Sequence, residues 1–321
     1  MGTAEQYAHF GRTYARASSP IFEEWSLGVA DDPEVIALID RLPPLKRQAI
    51  LVFAAARFQG APIGPYAGFR DFLVAHWPEI EATALSHATQ TNEAGRTALL
   101  LPVLARLPGP LALIEVGASA GLCLYPDRYS FRYSGHPQLD PADGPSEVVI
   151  DCTVTGDPPI PTRMPEIVSR AGVDLNPLDV TSDEDLHWLE TLVWPEQDDR
   201  RERLRNAAAI ARRDPPSILA GDLNETVERL VAEAPAGSTP VVFHSAVMMY
   251  LDSDARDRFV RMIGELPCHW ISNEDVPVMP QFIPKLPRPI EEVRSSFVMA
   301  LDGEPLAFTG GHGQYLDWFG G

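Results

Sequence analysis

Leu111-Ala112-Leu113-Ile114-Glu115-Val116-Gly117-Ala118-Ser119-Ala120-Gly121-Leu122 decides the fold of this 321-residue chain. An apolar run carrying one acid, Glu115, passes directly into a loop of small residues. That shape predicts a buried strand feeding a tight turn and a helix start. Two chemistries use it. One is a nucleotide or S-adenosylmethionine cradle, in which glycines let a ligand approach the backbone. The other is a nucleophile elbow, because residues 117–121 also spell G-x-S-x-G.

Upstream of this stretch the chain reads as helix. Residues 34–40, 47–56, 69–77 and 95–107 repeat apolar groups three and four apart, with Pro102 as an expected interruption. Pro43-Pro44, residues 60–65 and Pro108-Gly109-Pro110 punctuate them. The sequence predicts an all-helical region over 1–108 and a second domain over 109–321. Downstream, short β-like runs alternate with helices. Strands are expected at 111–116, 166–173, 217–220, 239–244, 268–272, 295–300 and 306–309, with helices near 184–193, 200–212, 225–234 and 254–266. Strand–helix–strand recurrence predicts a mostly parallel sheet covered on both faces. The Asp302-Gly303 pair predicts a terminal antiparallel hairpin. The aromatic- and arginine-rich stretch 125–144, followed by an apolar run at 147–152, reads as a small hairpin beside the loop.

Composition narrows the function classes. Twenty-six Lys and Arg stand against 45 Asp and Glu, a formal net charge of -19, so the overall field repels a nucleic-acid backbone. No apolar run approaches the roughly 20 residues needed to span a bilayer. The opening MGTAEQYAHFGRTYARAS lacks a signal-peptide pattern, and Gln6 breaks a myristoylation pattern. A cytoplasmic protein without membrane or nucleic-acid partners is expected. Cys123, Cys152 and Cys268 are far apart and form no C-x-x-C pair, and no cluster has metal-ligand spacing, so no metal is expected.

Ligands of open parallel sheets bind beyond the carboxyl ends of the strands. The expected strands end in Glu115 with the 117–121 loop, in Asp174, in Gly221-Asp222, in His244-Ser245 and in Asn273-Glu274-Asp275, and the hairpin ends in Gly310-Gly311-His312-Gly313. For a nucleoside cofactor, Gly117, Ser119 and Gly121 would line the loop. Glu115 would hold a cationic amino group or order the loop. Asp174 would take ribose hydroxyls and Asp222 the adenine end; both acids could instead order turns and cap helices. His244, ending a buried strand, is the candidate proton acceptor. Asn92, Tyr129, Arg132 and His312 are candidate substrate contacts for a small molecule. Acids around the rim and the lack of a G-x-x-x-x-G-K-[ST] run disfavour a phosphate cofactor and suit an uncharged ribose with a cationic sulfonium. The hydrolase alternative needs Ser119 with Asp222 or Asp275 and then His312. A ligand-binding or interaction protein without catalysis is the remaining alternative.

LIEVGASAGLCLYPDRYSFRY at 113–133, QTNEAGR at 90–96, RAGVDLNPLDV at 170–180, WLETLVWPE at 188–196, VVFHSAVMMYL at 241–251 and LAFTGGHGQYLDW at 306–318 carry a resemblance over nearly the whole chain. The sequence resembles a bacterial domain-of-unknown-function family that is similar to class I S-adenosylmethionine-dependent methyltransferases. The resemblance implies a Rossmann-like α/β sheet, parallel with a terminal antiparallel hairpin, behind a helical N-terminal region. It implies S-adenosylmethionine as cofactor and a small-molecule acceptor. Against the pattern E-x-G-x-G-x-G, Glu115, Gly117 and Gly121 match, and Ser119 stands in place of the middle glycine.

Overall fold

The computed structural model describes residues 1–90, 92–293 and 297–320. The chain forms two compact units, residues 1–91 with 182–202, and residues 92–181 with 203–321. The division falls at residue 91 rather than 108, and the first unit also takes a distant segment.

In the first unit, helices α1 (Thr3–Phe10), α2 (Pro20–Ala30), α3 (Pro33–Ile39), α4 (Ala49–Phe58), α5 (Tyr66–Ala75) and α6 (Trp77–Ser86) follow one another. Ser19 and Asp32 cap α2 and α3, each followed by a proline whose missing N–H costs nothing at that position. Their apolar faces close on a buried aromatic cluster in which Trp25 stacks on Phe69 at 3.9 Å beside Phe22 and Phe53. Arg57 donates to the carbonyls of Thr191 and Val193 and so joins the second segment to the first.

The second unit opens with helix α7 (Thr97–Leu104), buried along its whole length, with Pro102 inside the helix. Strand β1 (Leu111–Val116) follows, then β2 (Ser130–Tyr133), β3 (Val149–Thr155) and β4 (Ile167–Asp174). Helices α8 (Asp183–Leu192) and α9 (Asp198–Ala211) come next, the unit boundary falling within α9. Then come β5 (Ser217–Ala220), α10 (Leu223–Ala232), β6 (Thr239–Ser245), α11 (Ser253–Glu265), β7 (His269–Asp275), β8 (Phe297–Leu301), β9 (Glu304–Thr309) and β10 (Tyr315–Trp318). All ten strands form one sheet in the order β2-β3-β10-β9-β8-β7-β6-β1-β4-β5.

Strands β5, β4, β1, β6 and β7 run parallel. β8, β9 and β10 are added antiparallel. This is a Rossmann-like α/β topology. Every residue of β1 is buried, as a strand covered on both faces must be. The hairpin turns at Asp302-Gly303, with φ of +52° and +82°, the left-handed pair such a turn requires. Of the strand expected at 295–300, Ser295 and Ser296 lie outside the described residues. The hairpin expected near residues 125–152 is not one. β2 and β3 pair parallel, and β3 joins β10 at the far side of the sheet. β10 itself carried no signal beyond the alternation in Tyr315-Leu316-Asp317-Trp318.

Candidate functional site

The chain's order in the sheet reverses at β1, with β4 and β5 on one side and β6 and β7 on the other. An open α/β sheet offers its ligand crevice at the carboxyl end of such a strand. There Gly117, Ser119 and Gly121 have φ of +69°, +51° and +72°. A left-handed conformation costs a non-glycine residue about 1–2 kcal/mol, so Ser119 must be held there by its neighbours.

Three neighbours do so. The Ser119 amide donates to Asp174 Oδ2 at 2.8 Å, and its carbonyl accepts from the Leu178 amide at 3.1 Å. Asn92 spans the loop: its Nδ2 donates to the Ala118 carbonyl at 2.7 Å, and its Oδ1 accepts from the Leu122 amide at 2.9 Å. The expected helix start does not form. Two 3-10 turns, Leu122–Leu124 and Pro126–Arg128, follow instead. The loop therefore lacks the helix dipole that serves phosphate binding elsewhere.

The glycines are explained by packing within the chain. A side chain on Gly117 would lie 2.5 Å from Val247 Cγ2, and one on Gly121 would lie 2.8 Å from Pro216 Cγ. Two buried polar atoms beside them, Glu115 Oε2 and Ser119 Oγ, have no hydrogen-bond partner. Glu115 is 7% exposed. Burial holds its carboxyl well above the ordinary value, against the Arg96 guanidinium, which acts the other way. Burial also pushes the Cys123 thiol well up, which disfavours its thiolate.

Arg96 is the residue that strand-end reasoning did not single out, although it closes the QTNEAGR block, whose Thr91 lies outside the described residues. Its Nε donates to the Gly311 carbonyl at 2.9 Å and its Nη1 to the Ser245 carbonyl at 3.1 Å. It thereby fixes the end of β6 and the 310–313 loop beside Glu115. In that loop a side chain on Gly313 would meet the Gly95 carbonyl at 1.9 Å, so backbone lies on backbone and only glycine serves. Half-buried His312 belongs to this loop.

The structure gives several of the expected site residues partners within the chain. His244 is fully buried with both ring nitrogens engaged: the Trp270 indole N–H donates to Nε2 at 2.9 Å, and Nδ1 lies 2.7 Å from Glu274 Oε1. Indole only donates, so the imidazole is neutral with its proton on Nδ1. It has no nitrogen left for a substrate. Glu274 Oε1 also accepts from the amides of Val247, at 2.8 Å, and Met248, at 3.3 Å. The triad thus positions the loop whose Val247 covers Gly117. Asp222 caps α10 through the Asn224 amide at 2.7 Å. Asp174 spends a hydrogen bond on the Ser119 amide and another on that of Asn176. Tyr129 is buried, its hydroxyl donating to the Leu122 carbonyl. Arg132 is exposed on the edge strand and pairs with Asp151.

Ser119 Oγ has no hydrogen-bonded base, and the turn after it leads into no α-helix, so neither part of a nucleophile elbow is assembled. Among the described residues no group of three or more His, Cys, Asp or Glu side chains is arranged to hold a metal. A cavity of about 420 Å³ lined by Tyr125, Arg128, Asn206, Arg213 and others contains none of the expected site residues. Among the described residues, no helix is long and apolar enough to cross a membrane.

Comparison with known families places the chain. Residues 4–318 match the family described as an uncharacterized protein conserved in bacteria (DUF2332), and the chain belongs to that family. No curated protein matches it.

Proposed function

We propose that the carboxyl end of β1 binds S-adenosylmethionine and that the protein transfers its methyl group to a small, largely apolar acceptor. The carrying observation is the pair of buried, unpartnered polar atoms, Glu115 Oε2 and Ser119 Oγ, at the switch point of a Rossmann-like sheet. A buried polar atom left unpaired costs about 1–3 kcal/mol, which a ligand donor at that atom removes. Asp174, half-buried at the end of β4, is the acid placed for ribose hydroxyls.

When bound, the cofactor supplies an electrophilic methyl group. The chain's own residues bind and orient. Glu115 takes a cationic amino group, and Ser119 Oγ meets a ligand donor. The loops after β4 and β6 present exposed Leu175, Met249 and Tyr250, which suits an apolar acceptor.

One observation favours a second reading, binding without catalysis: no histidine at the end of β6 is available as a base. Titration calorimetry with S-adenosylhomocysteine, on wild type and Ser119→Ala, tests the proposal. Saturable binding, weakened in the variant, is expected. A folded protein that binds neither S-adenosylmethionine nor its demethylated product at millimolar concentration refutes it.

A further inference from the structure

Arg96 holds a permanent positive charge, since a guanidinium does not deprotonate in proteins. Two of its five N–H groups are spent on the Gly311 and Ser245 carbonyls. No ion pair joins it to any carboxylate among the described residues, in a chain with a net charge of -19. Its electrostatic neighbour Glu115 is held toward its neutral form by burial and does not bond to it. A half-buried fork with three donors left thus stands beside a buried carboxyl oxygen with no donor. A fork of this geometry matches a planar carboxylate with two parallel hydrogen bonds. The free Glu115 oxygen matches an ammonium.

We propose that Arg96 is the anion-binding residue of this site and that Arg96 and Glu115 together recognise an α-amino-acid group, a carboxylate beside an ammonium. The inference rests on the β1 loop being a ligand site. It adds that the ligand's zwitterionic end, rather than its nucleoside, carries much of the affinity. Two sources offer that chemistry, the amino-acid end of an S-adenosyl compound and a free amino acid.

Calorimetry with three probes separates them: S-adenosylhomocysteine, methylthioadenosine, which lacks the amino-acid group, and L-methionine. Hydrogen bonds between charged groups predict S-adenosylhomocysteine binding about 10- to 100-fold more tightly than methylthioadenosine. Arg96→Met should weaken S-adenosylhomocysteine about 10- to 100-fold more than it weakens methylthioadenosine. A residue that merely braced the loop would weaken both equally, which overturns the inference. Arg96→Lys, which keeps the charge and loses the fork, should fall between. Equal binding of the two nucleosides by wild type overturns the inference and leaves the nucleoside site standing, and it needs no variant to fold. Saturable L-methionine binding without nucleoside binding upholds the α-amino-acid inference and overturns the S-adenosylmethionine reading. Failure of all three probes overturns both.

Discussion

Gly117→Ala is the sharpest test of how the loop is built. Gly117 has φ of +69°, which costs an alanine about 1–2 kcal/mol. The new methyl would also sit 2.5 Å from Val247 Cγ2 and 3.0 Å from Cγ1. Val247 cannot easily retreat, because its amide is bonded to Glu274 and the preceding Ala246 is already left-handed at φ +58°. Overpacking of this kind costs about 1–3 kcal/mol, for a total of about 2–5 kcal/mol. Val247→Ala removes both γ carbons and so the overpacking, but not the φ cost. Urea unfolding of wild type, the two single variants and the double variant forms a cycle. Gly117→Ala should be about 1–3 kcal/mol less harmful in the Val247→Ala background. Additivity within about 0.5 kcal/mol would refute the contact, since sites that do not touch add that closely. A loss below about 0.5 kcal/mol in the single variant would refute the left-handed conformation as well.

Other expectations rest on separate contacts. Glu115→Gln should be near neutral in acid and increasingly stabilising as pH rises. The raised folded pKa means that the native state keeps a proton which the unfolded chain loses above about pH 4.5. Stability therefore falls by about 1.4 kcal/mol per pH unit from there up to the folded pKa, a slope the variant lacks in paired denaturation curves. His244→Ala should cost about 1–3 kcal/mol by chemical denaturation for each buried partner it strips, the Trp270 indole and Glu274. Asn92→Ala loses two bonds to the 118–122 segment and should cost about 1–3 kcal/mol, read as faster amide exchange at Leu122.

Much of the sheet was legible because buried parallel strands are short apolar runs. Residues 111–116 and 217–220 occur as the sequence predicts, and the Asp302-Gly303 turn announces its hairpin. β2 and β3 were misread because nothing in a local pattern says which distant strand a β-run will join. The partner of β3, β10, lies more than 150 residues further on. The segment 182–202 has the texture of any surface helix, so its membership of the first unit could not be read from composition. At the site, residue types at strand ends drew attention to loops that the fold gathers at one end of the sheet, but the roles depended on partners. His244 reads as a base until Trp270 and Glu274, both on the next strand, are seen to take its nitrogens. Asp222 and Asp174 are acids whose bonds go to nearby backbone. Arg96 precedes a helix rather than ending a strand, so the strand-end rule passed over it.

A crystal structure of the protein grown with S-adenosylhomocysteine tests the central claim most directly. The ligand is expected beside residues 115–121, with its amino group within hydrogen-bond distance of Glu115 Oε2 and its carboxylate on Arg96. A bare loop at saturating ligand, or the ligand bound instead in the cavity beside Tyr125 and Arg213, would contradict it.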